Sequence, residues 1–154
     1  MRPWTAMIAL TVVSIWSAGC GETELDHTID VERVHTLWEC GQWHTVDADG
    51  HQGTRDVWTL EELEAGAAFD FRFDAYTLPN RFEIDYPRGT TVVDTGWRGS
   101  SWYDEDDDYP GGISGPGHGD FQNLFELSGA DEFEVRVFGA APGTSWTYSV
   151  RCRS

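Results

Sequence analysis

A chain of 154 residues with 27 acidic side chains against ten basic ones has a formal net charge of −17, which opposes DNA, RNA and anionic lipid and favours cations, basic proteins or neutral sugars. All ten basic residues are Arg, so a Lys nucleophile or Schiff base is excluded. Aromatics at 14% are too many for a disordered acidic tail, and the length provides one domain with a core of its own.

The first segment, MRPWTAMIALTVVSIWSAGC, has one Arg, an apolar run over residues 6–16 and small residues before Cys20. This is the pattern of an export signal over residues 1–19. The run is shorter than the about 20 residues that a membrane-crossing helix needs, so no transmembrane helix is expected. Ser17-Ala18-Gly19-Cys20 resembles the lipobox of bacterial lipoproteins, with Ser17 at the position where that family favours Leu. The resemblance implies that Cys20 becomes the lipid-modified first residue of the mature chain. It also implies a lipid-anchored place in the bacterial cell envelope, at the outer membrane. An ordinary signal cut near Ala18 or Gly19 is the alternative and leaves Cys20 as a free thiol.

Loss of the leader removes one Arg and no acid, which takes the net charge to −18. Residues 20–32 are polar and acidic and read as the anchor and its tether, with a reach of at most about 40 Å. The folded domain is expected over residues 33–154. Three Cys is an odd count for an exported chain; with Cys20 assigned to lipid, Cys40 and Cys152 are left to pair in an oxidising compartment. On the chain-entropy account, closing so long a loop stabilises the fold by about 4 to 5 kcal/mol.

Two candidate elements precede the clear strands. Asp49-Gly50 reads as a hairpin turn, and Leu60-Glu61-Glu62-Leu63-Glu64 gives a helical hint too short to hold alone. Period-two alternation then decides the class. Phe69, Phe71 and Phe73 alternate with Asp70, Arg72 and Asp74; after a turn at Leu78-Pro79-Asn80, Phe82, Ile84 and Tyr86 alternate with Arg81, Glu83 and Asp85. Thr91-Val92-Val93 predicts a short strand ended by Asp94-Thr95-Gly96, and residues 121–127 a weaker one. Phe133, Val135 and Val137 form a further set. In the last strand Trp146, Tyr148, Val150 and Cys152 share one parity, which points the cysteine inward with the aromatics. These elements predict an all-β, antiparallel, jelly-roll-like β-sandwich of about seven to eight strands, closed by one disulfide.

The run FDFRFDAYTLPNRFEIDYPRGTTVVDTGWRGS, with its Tyr-x-x-Pro-Asn-Arg-Phe core and Asp-Thr-Gly-Trp end, resembles a module of uncharacterised exported bacterial and phage-associated proteins. The closing FEVRVFGAAPGTSWTYSVRC resembles the end of the same module. The resemblance covers about half of the mature chain and implies a jelly-roll-like sandwich. It brings no catalytic residues with it.

The candidate site is the glycine-rich stretch over residues 96–120, which holds WYDEDDDYPGG. Asp104, Asp106 and Asp108 have the spacing that opens an EF-hand loop. Tyr109 and Gly115 stand where that loop needs Gly and Glu, so an EF-hand is excluded. A less regular Ca²⁺ site from Asp104, Asp106, Asp108 and Asp120 is one reading, a surface for a basic protein another, and a solvated mobile loop the third. Trp97, Trp102, Tyr103 and Tyr109 crowd the same stretch, and exposed rings beside carboxylates suit a carbohydrate. His44 and His51 beside Asp47 and Asp49 match no standard metal-ligand spacing.

For catalysis the chain lacks a Gly-x-Ser-x-Gly elbow, a His-Glu-x-x-His helix and a phosphate loop with Lys, and it reads as a non-enzyme. The leading expectation is a lipid-anchored envelope binding module whose partner is carbohydrate or a basic protein, with Ca²⁺ as an organiser. A structural or accessory envelope lipoprotein is the alternative, and a hydrolase the third.

Overall fold

The computed structural model describes residues 29–47 and 52–154. The expected export signal, Cys20, most of the tether, and residues 48–51 with the predicted Asp49-Gly50 turn and His51 lie outside the described residues. In chain order the strands are β1 (Val31–Leu37), β2 (His44–Asp47), β3 (Gly53–Leu60), β4 (Ala68–Asp74), β5 (Asn80–Asp85), β6 (Thr91–Arg98), β7 (Ile113–Gly115), β8 (His118–Phe121), β9 (Glu132–Gly139) and β10 (Thr147–Arg153). A 3-10 turn, Ser101–Tyr103, follows β6.

These strands form two layers: a six-stranded sheet ordered β1-β3-β9-β5-β6-β7 and a four-stranded sheet ordered β2-β10-β4-β8. The fold is therefore the predicted all-β sandwich, with ten strands among the described residues rather than seven or eight. Most pairs are antiparallel, but β1 runs parallel to β3 and β7 parallel to β6 at the two edges of the larger sheet. β1 opens at Val31, so the last two residues of the expected tether already belong to the fold.

The alternating residues face one another between the layers. Phe69, Phe71 and Phe73 of β4, Phe82 and Ile84 of β5, Phe133, Val135 and Val137 of β9, and Tyr148 and Val150 of β10 are all buried in one cluster with Trp58, Leu37 and Trp146. Burying each such side chain stabilises the fold by about 1.5 to 3 kcal/mol. Cys152 shares this inward parity and is joined to Cys40, with the two Cα atoms 4.7 Å apart and 112 residues between them in sequence.

Three local expectations are corrected. Leu60 to Leu63 carry no helix: Leu60 ends β3, and the chain turns through Glu62 and Gly66 at positive φ. Asp94-Thr95-Gly96 does not end its strand; β6 continues to Arg98. The register with β5 shifts there, the Phe82 N–H donates to the Thr95 hydroxyl at 3.0 Å instead of to a ladder carbonyl, and Gly96 takes φ +60, which marks a β-bulge. Finally, β2 and β3 lie in different sheets, so they do not pair as the two strands of a hairpin.

The solvent side of the larger sheet carries an ordered row of charges. Registered pairs align Glu32, Arg55, Arg136, Glu83 and Asp94 across β1, β3, β9, β5 and β6. Arg55 and Arg136 face each other, a repulsive placement. Glu134 bridges both at 3.3 Å, Arg136 also reaches Glu83 and Asp85, and Arg81 holds Glu83 and Asp94. Each of these Arg side chains therefore has carboxylate partners on that face.

Candidate functional site

The stretch after β6 folds back over the outer surface of the six-stranded sheet. Trp97 on β6 and Phe138 on β9 point outward from the sandwich, and Tyr109 packs over them to form a second, smaller core with Tyr103, Ile113 and Ala140 at its margin. Trp97 and Tyr109 meet edge to face at 5.2 Å, and Tyr103 and Tyr109 at 5.4 Å. Burial, with the nearby Tyr103, Asp106 and Asp108, pushes the Tyr109 hydroxyl above its ordinary value.

This arrangement separates the four aromatics proposed as a binding surface. Trp97 and Tyr109 are buried, with 3% and 6% of their surface exposed, so neither ring can stack on a ligand; the reason is that the loop has its own apolar base to cover. Tyr103 is half-buried. Trp102 is 92% exposed at the centre of the 3-10 turn, whose start is capped by the Ser100 hydroxyl accepting from the Trp102 N–H. It lines a shallow hollow of 340 Å³ with Ser101, Asp104 and Glu105.

The acidic run is folded locally by its own backbone. Asp104 Oδ1 accepts from the Ile113 N–H at 2.9 Å, Asp106 Oδ1 accepts from the Asp108 N–H at 3.0 Å, and the Tyr109 N–H donates to the Asp106 carbonyl. Asp120 stands on β8 in the other sheet. Asp104, Asp106, Asp108 and Asp120 are thus not brought together, and among the described residues no three His, Cys, Asp or Glu side chains are placed to hold a metal ion. Turns and a small core order the stretch, which is how the cost of arranging so many glycines is offset.

A second polar constellation has no signature in the sequence. Asp56 on β3 is fully buried, and it accepts a bidentate pair from Arg33 at 2.6 and 2.8 Å and a hydrogen bond from the Tyr148 hydroxyl at 2.8 Å. His35 Nε2 lies 3.0 Å away, and the Trp58 indole donates to the Tyr148 oxygen at 3.1 Å. Burial raises the Asp56 carboxyl, but hydrogen bonds from His35, Arg33 and Tyr148 and the Arg33 charge outweigh it and hold the group below its ordinary value. Burial foremost, with the Asp56 charge, pushes Tyr148 well above 10. Every partner of this carboxylate is already engaged, so the cluster fastens β1, β3 and β10 together.

Fold and site together define a disulfide-closed, two-sheet sandwich that presents one exposed indole beside a run of carboxylates. No family model matches the chain, and no curated protein does. Among solved structures the chain is similar to PliG of Aeromonas hydrophila, a periplasmic inhibitor of g-type lysozyme, at 9% identity over 79% of this chain and 99% of that one, with a TM-score of 0.43. It is similar to the pre-peptidase C-terminal domain of a Bacillus anthracis collagenase at 9% identity, 78% and 94% coverage and a TM-score of 0.42. A mutant of the Escherichia coli PliG gives 11% identity, 79% and 98% coverage and a TM-score of 0.40. At this level of similarity no site residue carries over.

Proposed function

We propose that the protein is a cell-envelope binding module, tethered through lipid on Cys20, that docks a basic protein through the turn and acidic run at residues 100–108. The observation that carries this reading is the hollow beside Trp102. An indole face with 92% of the residue exposed, bordered by Asp104 and Glu105, fits an Arg or Lys side chain: the cation stacks on the ring and the carboxylates take its charge. Aromatic anchors of this kind carry much of the energy at protein interfaces.

Charge distribution supports the same reading. Arg55, Arg81, Arg88 and Arg136 are bound to carboxylates on the large sheet, and Arg151 and Arg153 to Asp70 on the small one. The five acids at residues 104–108 form no ion pair among the described residues, so the indole projects beside a run of uncompensated carboxylates. Such a field speeds encounter with a basic partner and fades with salt.

The test is a binding panel of basic proteins, a g-type lysozyme among them, against the immobilised full chain at low and high salt. Neutralising residues 104–108 to Asn and Gln is expected to abolish binding of any partner found and to flatten its salt dependence. Equal binding with the run neutralised overturns the assignment.

A further inference from the structure

The outer face of the four-stranded sheet carries a groove of 540 Å³, distinct in composition from the loop. The register shows what lines it. One row across the sheet is Thr45, Ser149, Arg72 and Asp120, and the next is Asp47, Thr147, Asp74 and His118. The volume falls within the about 300 to 1,000 Å³ typical of small-molecule sites.

Thr45 and Ser149 of this groove bond each other and Thr147 donates to the Val46 carbonyl, whereas Arg72 and Asp120 are left available. Arg72 and Asp120 are cross-strand neighbours of opposite charge, a placement that ordinarily pairs, yet no ion pair joins them. The Arg72 guanidinium instead lies 4.3 Å from the Trp43 ring and makes no hydrogen bond with another described residue. Stacking fixes the plane of the guanidinium and leaves its N–H groups free. Asp74 also shapes the groove edge, since its Oδ1 accepts from the Tyr76 N–H at 2.7 Å. That bond holds Tyr76 at φ 51, a conformation unusual for an aromatic residue. The result is a half-exposed phenol ring at the groove edge.

The mixture of groups selects the ligand. Three carboxylates oppose an anion, and an apolar ligand leaves Arg72, Asp47 and Asp120 unsatisfied. A shared metal ion is excluded because no three of the acidic and imidazole groups converge. A neutral molecule rich in hydroxyls satisfies all of them: it donates to Asp47, Asp74 and Asp120, accepts from Arg72, and lays an apolar ring face on Tyr76. We propose that this groove is a saccharide-binding site, with Tyr76 as the stacking platform and Arg72 as the principal donor.

The proposal is tested by saturation-transfer NMR on the full chain with three neutral tetrasaccharides as probes: β-linked glucose, N-acetylglucosamine and mannose. Two groove variants, Tyr76→Asn and Arg72→Gln, alter outward-facing side chains, and Asn tolerates positive φ better than Tyr. Trp102→Ala serves as the loop control, and circular dichroism confirms that each variant is folded. The expected result is transfer from at least one probe, weakened about tenfold or more in both groove variants and unchanged in Trp102→Ala. Absence of transfer from all three probes overturns the proposal. So does transfer that survives both groove variants, or transfer lost only with Trp102.

Discussion

The Tyr148 hydroxyl donates a 2.8 Å hydrogen bond to the Asp56 carboxylate, and this bond joins β10 of one sheet to β3 of the other through the middle of the sandwich. Neither residue is isolated, since Arg33 neutralises the carboxylate and the Trp58 indole donates to the phenol oxygen. A charge placed between two apolar layers is tolerable only with such complete pairing.

Removing one member takes hydrogen bonds from the groups that remain around it. Asp56→Ala is expected to destabilise the fold by about 3 to 5 kcal/mol, because it removes the buried carboxylate on which Arg33, His35 and Tyr148 converge. Tyr148→Phe keeps the ring and loses only the hydroxyl, at about 1 to 3 kcal/mol. Urea denaturation of both variants beside the parent checks the order; a larger loss in Tyr148→Phe than in Asp56→Ala contradicts it.

Acid should unfold the protein through its paired carboxylates. Asp56, Asp70 and Asp94 are each held below the ordinary value of 3.8 by Arg partners and hydrogen bonds that outweigh burial. A depressed native value means that the stabilisation is present above the unfolded value and is lost as pH falls through the native ones. The melting temperature is therefore expected to drop steeply below about pH 4. A melting temperature that stays level through that range contradicts the pairing.

The cystine joins the segment after β1 to the last strand and encloses almost the whole domain. Cys40→Ser with Cys152→Ser is expected to cost about 4 to 5 kcal/mol, chiefly by releasing the unfolded chain. Comparison of denaturation midpoints with and without a reductant gives the same quantity for the native sequence. Equal midpoints contradict it.

Calcium offers a sharp negative. Asp104 already accepts from the Ile113 N–H and Asp106 from the Asp108 N–H, and Asp120 belongs to the other sheet. The melting temperature in millimolar Ca²⁺ is expected to equal that in chelator. A clear upward shift with Ca²⁺ shows that the acids regroup around the ion.

Much of the architecture was legible because β4, β5, β9 and β10 each have one apolar face, and alternation reports that directly. The inward parity of Cys152 with Trp146 and Tyr148 placed that cysteine in the core by pattern alone. β3 was hidden for the opposite reason: GTRDVWTL is buried on both sides, with Asp56 inward among apolar neighbours, so no period shows. The aromatics at 97 and 109 misled because their burial depends on a loop folding back over the sheet, a long-range contact that local pattern does not encode. The groove was invisible for a related reason, since Thr45, Ser149, Arg72 and Asp120 become neighbours only once the register of four strands is known.

The most direct test of the docking surface is the affinity of a basic partner for the parent chain and for Trp102→Ala. The side chain is 92% exposed, so its loss should leave stability unchanged. An anchoring role predicts that the variant binds weaker by about 2 kcal/mol, roughly thirtyfold, at an unaltered melting temperature. Identical affinity in the two proteins contradicts the account.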